Sequence, residues 1–188
     1  MSRNNPQSNK VPGGVPSAHF DTSIKDLLPD PSQLPEFDFT GTPELAKYPD
    51  YINAASELLD ANVENGFGNR IAISYEQKSW TYKQLLELSN QIAGVLVEDF
   101  KLQTGGRVLL RSGNTPMLVA CWFAVLKAGG ICVTTMPLLR SRELEFIIEK
   151  AGVSVALSDI ELQDDIREAS EKTGRIQHLH YFSKMGEN

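Results

Sequence analysis

The sequence predicts an α/β fold: a doubly wound, mostly parallel sheet with helices on both of its faces. Three observations predict it. The chain of 188 residues, 41% hydrophobic and 22% charged, has the ordinary composition of one globular core. From residue 70 onward, short apolar runs of strand length alternate with segments of helical period. This order is typical of parallel strands joined by right-handed crossovers, which place helices on both sides of the sheet.

The first fifty residues differ in composition from the rest. Residues 1–20 are rich in Asn, Ser, Pro and Gly, so the entropy lost on ordering them would exceed the gain from burial. They are predicted to form a disordered tail. Residues 21–48 combine prolines with scattered aromatic residues, which suits an extended arm that lies on a core. The α/β subdomain itself is predicted over residues 49–188.

The folded part is predicted to begin with a helix and a hairpin. Asp50 is suited to be the N-cap of a helix that has apolar residues along one face and ends at Gly66. Residues Ile71–Tyr75 and 79–81 are the predicted strands of a small hairpin. A long amphipathic helix follows over residues 82–100.

Further strands and helices complete the alternation. Thr115 is the predicted cap of a helix with Pro116 in its first turn, and its apolar residues on nearly every side predict that it is buried. Ser141 is the predicted cap of the next helix, and Ser158 with Glu161 has capping-box spacing for the last one. The predicted strands lie at Arg107–Arg111, Ile131–Thr135, 153–157 and 176–182.

Charge and cysteine content narrow the class of function. The net charge of −6, without a cluster of Lys and Arg, argues against nucleic acid as the main partner. The first twenty residues hold no apolar signal-peptide core, and no segment approaches a membrane span in length, so no membrane attachment is expected. Cys121 and Cys132 lie in apolar segments and are predicted to be buried free thiols, which suits the cytoplasm.

Few motifs carry chemistry by themselves. The glycine pairs follow helices and precede strands, so they are interpreted as helix ends and tight connections, not as phosphate loops. Residues 40–43 faintly resemble such a loop, but no strand precedes them. His178 and His180 share one face of a predicted strand without a third metal ligand nearby, which favours ordinary strand histidines. Asp164 and Asp165 are interpreted as a solvated helix face.

Three stretches follow one another in the folded part: residues 80–85, WTYKQL; residues 106–108, GRV, with NTP at 114–116; and residues 126–130, LKAGG, followed by a strand and Pro137. In this order and spacing they resemble the adenylate-forming superfamily of acyl-CoA synthetases, luciferases and peptide-synthetase adenylation domains. Gln84 stands where that family usually has Glu, and Gly106 stands where it usually has Asp.

Within the superfamily, residues 119–130 and 133–144 look most like bacterial 2-aminobenzoate:CoA and benzoate:CoA ligases, as does the arm. The resemblance implies the first subdomain of the N-terminal domain of an acyl-CoA synthetase. It also implies two half-reactions, in which a carboxylate and ATP give acyl-AMP, and the CoA thiol then displaces AMP. ATP, Mg²⁺, CoA and a small aromatic carboxylate are the cofactors and partners that it implies.

The resemblance places most of the family's site outside this chain. The phosphate loop, the aryl pocket, the ribose-binding Asp and the catalytic Lys are expected beyond residue 182, so the chain is expected to be incomplete and inactive alone. One ligand contact is expected within it. In aryl-CoA ligases the loop after the strand equivalent to Ile131–Thr135 can carry a basic residue that meets the nucleotide end of CoA. Arg140 and Arg142 are the nearest cations and the candidate CoA-phosphate contacts.

Two other interpretations stay open on the sequence alone. The chain could be a small non-catalytic α/β interaction module, because sheets of this kind carry many unrelated functions. It could also belong to an adenylation domain that loads a carrier-protein thiol instead of CoA. The sequence downstream of these residues would separate the three interpretations.

Overall fold

The structure, a computed structural model, describes residues 28–36, 38–49 and 51–186. The chain divides into two compact units, Met1–Ile52 and Asn53–Asn188. All the described strands lie in the second unit, as do the helices that connect them. Among the described helices, none combines the length and the apolar character that crossing a membrane requires.

The first unit holds the predicted tail and arm. Residues 1–20, the predicted tail, lie outside the described residues. The described part of the arm contains two single-turn 3₁₀ helices, Pro31–Gln33 and Leu45–Lys47. Asp30 caps the first of them by accepting a hydrogen bond from the backbone N of Ser32 at 2.9 Å. The position of the arm on a core stays a prediction.

The second unit opens with a helix over residues 54–67, the leading helix. Its cap is Asn53, whose Oδ1 accepts hydrogen bonds from the backbone N atoms two and three residues further on, at 3.0 and 3.4 Å. The predicted cap, Asp50, lies outside the described residues, and the helix begins later than predicted. Gly66 leaves the helical conformation with a φ of 83°, at the predicted end.

The predicted hairpin is present. Strands β1 (Ile71–Tyr75) and β2 (Lys78–Thr81) pair antiparallel, and helix α1 (Tyr82–Gly94) follows directly. Thr81 and Gln84 form a capping box, in which Thr81 N donates to Gln84 Oε1 at 2.9 Å and Gln84 N donates to Thr81 Oγ1 at 3.2 Å. Gln84 therefore both accepts from and donates to the N-cap residue Thr81, which closes the start of α1.

Four parallel strands form the main sheet, and three helices connect them. The strands are β3 (Arg107–Arg111), β4 (Ile131–Thr135), β5 (Val155–Asp159) and β6 (His178–Phe182), and the helices are α2 (Pro116–Lys127), α3 (Ser141–Ala151) and α4 (Gln163–Thr173). Their order across the sheet is β4-β3-β5-β6. Helices α1 and α2 pack on one face, whereas α3 and α4 pack on the other. The predicted doubly wound α/β fold is confirmed.

The two faces of the sheet carry separate cores. Successive residues of a strand point to opposite faces, so β3 serves both cores. Val108 and Leu110 pack with Leu96 on the first face, whereas Leu109 packs with Leu144 on the second. All five side chains are fully buried. Truncating one of these leucines to alanine would cost about 2 to 5 kcal/mol of folding free energy.

Helix α2 is largely covered, in line with its apolar sequence, since five of its twelve residues are buried and none is exposed. The connections around it are tight. A Cβ atom on Gly106 would lie 2.6 Å from Leu102 Cδ1 and 2.9 Å from the carbonyl oxygen of Gln103. A Cβ atom on Gly130 would lie 3.2 Å from the carbonyl oxygen of Gly106. These glycines therefore allow a close approach of backbone segments, in agreement with their interpretation as tight connections.

Two predicted helix caps are wrong by one residue. Arg140, not Ser141, occupies the N-cap position of α3, and Ser141 is the first helical residue. The Ser141 hydroxyl donates to a glutamate side chain one turn further on, at 2.9 Å. Ser158 is buried within β5, and Asp159 caps the 3₁₀ turn that precedes α4 by accepting from the backbone N two residues further on, at 3.0 Å.

Candidate functional site

The carboxyl ends of the four parallel strands meet at one edge of the sheet. Because β3 lies between β4 and β5, the chain leaves β3 towards one side of the sheet and leaves β5 towards the other. Open α/β sheets bind ligands at such a point, in the crevice outside the carboxyl ends of the strands. The candidate site is therefore formed by residues 136–140, the β4–α3 loop, and by the residues that follow β3 and β5.

Arg140, the first of the two predicted site residues, ends the β4–α3 loop. Its side chain is 80% exposed, and its Nη1 lies 3.3 Å from Asp165 Oδ2. The backbone N of Arg140 donates to Glu143 Oε2 at 2.9 Å, which fixes the residue at the start of α3. Arg140 is thus an accessible cation that is oriented by one carboxylate.

Arg142, the second predicted site residue, has different neighbours. It is exposed, near the start of α3. The pKa of Glu145 lies below its ordinary value, first because of a hydrogen bond from Lys172, then because of one from Ser141, and least through the charge of Arg142. The structure therefore brings Arg140, and not Arg142, to Asp165.

A third arginine at this edge was not predicted as a site residue. Arg111, the last residue of β3, is fully buried. Burial lowers the pKa of its guanidinium, and the charge of Asp165 opposes that effect. The guanidinium donates to three backbone carbonyl oxygens of the β4–α3 loop: Met136 at 3.0 Å, Pro137 at 3.1 Å and Leu139 at 2.7 Å. The only local signal in the sequence is a basic residue at the end of an apolar strand.

Asp165 joins the two arginines. Its Oδ2 lies 3.6 Å from Arg111 Nη2 and 3.3 Å from Arg140 Nη1, and its Oδ1 accepts a hydrogen bond from Ser141 N at 3.3 Å. The interpretation of Asp165 as part of a solvated face is wrong, because its side chain is only 25% exposed and both oxygens have partners. That interpretation holds for Asp164, which is 84% exposed and pairs with an exposed arginine.

A buried polar cluster lies where β3 and β5 end. Ser112 Oγ is 3.2 Å from Thr115 Oγ1 and 3.4 Å from Asp159 Oδ2, and all three residues are buried. Thr115 caps α2, as predicted, by accepting from the backbone N of Leu118 at 3.3 Å. Since Asp159 also caps a turn, the hydrogen bonds of this cluster serve the fold.

The two strand histidines are packed against an aromatic ring. His178 and His180 both stack on Phe100, each with a distance of 4.5 Å between ring centroids. This packing agrees with their interpretation as ordinary strand histidines. Across residues 28–186, as far as they are described, no three His, Cys, Asp or Glu side chains are grouped so that they could hold a metal ion.

The two cysteines are free thiols, as predicted. Cys121 is buried and Cys132 is partly buried. Burial raises the pKa of each thiol to about 12. The reactive thiolate is therefore negligible near neutral pH, and neither side chain is suited to act as a nucleophile.

A protein-family model described as AMP-binding enzyme matches residues 59–186. A Long-chain-fatty-acid–CoA ligase of Bacillus subtilis (strain 168) is 33% identical over 123 residues, which cover 62% of this chain and 22% of that protein. A Benzoate–CoA ligase of Thauera aromatica is 24% identical over 151 residues, which cover 80% of this chain and 29% of that protein. The chain thus matches between about a fifth and a third of the length of these relatives.

A solved structure has the same fold. It is the anthranilate CoA ligase AuaEII in complex with anthranoyl-AMP, which matches with a TM-score of 0.66 and 23% identity. The match covers 71% of this chain and 25% of that chain. At this level of identity the likeness concerns the fold alone, and it agrees with the first-subdomain architecture that the sequence predicts.

Proposed function

Because this chain belongs to the family of AMP-binding enzymes, we propose that the whole protein is an ATP-dependent CoA ligase for a small aromatic acid of the benzoate or 2-aminobenzoate type. The carboxylate of the acid attacks the α-phosphorus of ATP and releases pyrophosphate. The CoA thiol then attacks the acyl carbon of acyl-AMP. AMP leaves, and the proton of the thiol is lost to solvent. Mg²⁺ offsets the charge on the phosphates of ATP in the first step.

The observation that carries the choice of an aromatic acid is the reach of the benzoate–CoA ligase alignment. It covers 80% of this chain, whereas the match to a long-chain-fatty-acid–CoA ligase of Salmonella typhimurium covers 74%, so the benzoate–CoA ligase alignment spans more of the chain. The sequence of the arm resembles those of aromatic acid ligases, as do residues 119–130 and 133–144. A longer match to a benzoate–CoA ligase than to the long-chain ligases of Bacillus subtilis and Salmonella typhimurium supports this class.

A long-chain fatty acid is the second candidate substrate. The specific observation that favours it is the higher identity, 33%, with the Bacillus subtilis ligase. That likeness covers 62% of the chain, and the match to the Salmonella typhimurium long-chain ligase covers 74%, both smaller shares than the 80% of the benzoate–CoA ligase match. Transfer to a carrier-protein thiol instead of CoA is a third candidate, which differs only in the second half-reaction.

Arg140 is the residue of this chain that is proposed to contact CoA. Its guanidinium is exposed at the carboxyl edge of the sheet, where ligands of such folds bind. A guanidinium can donate two parallel charge-assisted hydrogen bonds to the 3′-phosphate of CoA, whereas an ammonium acts as a point charge. Arg142 is exposed nearby and is a weaker candidate, because its charge already acts on Glu145.

A cytoplasmic location is part of the same proposal. The chain has two cysteines, and both are free thiols, so the fold does not use a disulfide between them. Free thiols persist in reducing compartments. ATP and CoA, the proposed substrates, are required in the same compartment.

The substrate class can be tested by product analysis. The whole protein would be incubated with ATP, Mg²⁺, CoA and one acid at a time, from a panel of benzoate, 2-aminobenzoate and palmitate, and the acyl-CoA thioester would be measured by mass spectrometry. The proposal expects a thioester with at least one aromatic acid. Palmitoyl-CoA as the sole product would favour the second candidate and overturn the aromatic assignment.

A further inference from the structure

Arg111 is an unusual side chain for the interior of a sheet. Among the described residues it is the largest of the fully buried side chains, although burying a cation is costly unless hydrogen bonds compensate for the lost water. Its two terminal nitrogens use their hydrogen bonds on the carbonyl oxygens of one short segment, the β4–α3 loop. Its Nε is buried and has no partner among the described residues. The guanidinium is thus committed to this loop.

The β4–α3 loop has little other anchoring. Four of its five residues are exposed, and Leu138 is 83% exposed. Leu139 is the loop residue that packs against the core. A loop with few buried apolar contacts opens easily unless its backbone is held. Since a guanidinium is a rigid planar fork, three bonds from Arg111 fix the position of the loop backbone.

Asp165 extends this anchoring to the exposed arginine. One of its oxygens lies near both Arg111 and Arg140, and the other accepts from the backbone N of Ser141. The carboxylate therefore offsets the charge of the buried arginine, holds the first turn of α3, and orients the guanidinium of Arg140. These contacts link β3, α3 and α4 at the carboxyl edge of the sheet.

We propose that Arg111 and Asp165 are positioning residues for Arg140: the buried guanidinium holds the β4–α3 loop, and the carboxylate orients the exposed guanidinium that meets the phosphate of CoA. The loop anchoring stands on the contacts of this chain alone, whereas the effect on CoA rests on the proposed function. Neither residue touches CoA in this arrangement. Each acts through Arg140.

The anchoring is tested in the whole protein by hydrogen exchange of the loop amides of Leu139 and Arg140, which donate to the carbonyl oxygen of Met136 at 3.2 Å and to Glu143 Oε2 at 2.9 Å. Arg111→Met and Asp165→Asn should each raise the exchange rate of this loop about tenfold or more. The first variant removes the guanidinium that bonds to the loop, and the second removes the negative charge that faces it. Asp164→Asn is the matched control, since it changes the neighbouring residue, whose partner is an exposed arginine. Unchanged loop exchange in both Arg111→Met and Asp165→Asn would overturn the inference. If Arg111→Met does not fold, Asp165→Asn decides.

The effect on CoA is tested by the Michaelis constants of the same variants. Arg111→Met and Asp165→Asn should raise KM for CoA several-fold and leave KM for ATP and the acid within about twofold. The control, Asp164→Asn, should have the same Michaelis constants as the natural protein. A fall in KM for CoA in Asp165→Asn would mean that Asp165 competes with the phosphate, which overturns a positioning role. If loop exchange rises in Arg111→Met and Asp165→Asn but KM for CoA is unchanged in Arg140→Ala, the proposed CoA contact is overturned. The positioning of that contact is then overturned with it.

Discussion

Lys127 and Asp60 form an ion pair that joins the end of α2 to the leading helix. The Lys127 Nζ lies 2.5 and 2.6 Å from the two carboxylate oxygens of Asp60, and the two side chains are only 13% and 28% exposed. Beside this pair, Asn53 Nδ2 donates to the carbonyl oxygen of Leu126 at 2.7 Å. The lysine of the LKAGG segment therefore has a structural role, and it also places a cation at the carbonyl end of α2.

Replacing Lys127 by methionine should lower the free energy of unfolding by about 1 to 3 kcal/mol. This range lies between the small values typical of exposed pairs and the larger cost of leaving one partner of a buried pair uncompensated. Urea denaturation of the chain measures the effect. Lys83→Met is the control, because Lys83 pairs with Glu87 at 3.9 Å with both side chains well exposed. Equal losses in the two variants would contradict the structural role of Lys127.

Gly106→Ala should destabilise the chain by about 1 to 3 kcal/mol, because the added methyl group overpacks a filled site. The clash with Leu102 can relax through rotation of that side chain, but the clash with the carbonyl oxygen of Gln103 requires backbone movement. Gly113→Ala is the matched control, since nothing lies within 4 Å of its Cβ position. The control should be neutral or slightly stabilising in the same urea titration. A neutral Gly106→Ala would show that the β3 connection is looser than the structure indicates.

The pattern of the sequence predicts the order of the strands and their parallel arrangement, because buried strands require short apolar runs. It predicts their bounds less well: β5 lies two residues later than the predicted 153–157, and β6 begins two residues later than the predicted 176–182. Caps were predicted less well. Thr115 is predicted correctly, but the N-cap position of α3 falls on Arg140, whose side chain makes no capping hydrogen bond, and Asp159 instead of Ser158 caps the turn before α4. These positions depend on where the backbone leaves its strand. A local pattern does not contain that information.

The central residues of the site were missed for a similar reason. Arg111 bonds to carbonyl groups 25 to 28 residues further along the chain, so no local spacing reveals the contact. Asp165 was judged from its helix, whose apolar face is opposite, whereas its partners lie on β3 and at the start of α3. Arg140 is a candidate only through resemblance to a family, because its place in the sequence alone describes an ordinary surface residue.

The two thiols should make stability depend on pH in the alkaline range. Burial holds the pKa of Cys121 and Cys132 at about 12 in the native state, whereas an unfolded thiol ionises near its ordinary value of about 8.5. Between these values the unfolded state loses protons that the native state keeps, so the free energy of unfolding falls as pH rises from about 9 towards 12. The Cys121→Ala, Cys132→Ala double variant should lose part of this slope in urea titrations across that range. An identical slope would contradict the buried environment of the thiols.

Arg140→Ala in the whole protein should raise KM for CoA about tenfold to a hundredfold, with little change in KM for ATP or the acid. The reason is that one charge-assisted interaction with a single substrate, of about 1.5 to 3 kcal/mol, is lost. Steady-state kinetics with CoA varied at saturating ATP and acid measures it. Arg167→Ala is the control, because that exposed arginine pairs with Asp164 and not with Asp165. An unchanged KM for CoA in a folded Arg140→Ala variant would remove Arg140 from the CoA site.

The most direct test of the account is acid-dependent exchange of labelled pyrophosphate into ATP by the whole protein. This exchange reports the first half-reaction alone, so it does not depend on CoA or on which thiol accepts the acyl group. Exchange with benzoate or 2-aminobenzoate should be at least about tenfold above the rate without acid, and exchange with palmitate should be much slower. Exchange with palmitate alone, or no exchange with any carboxylate in the presence of Mg²⁺, would contradict it.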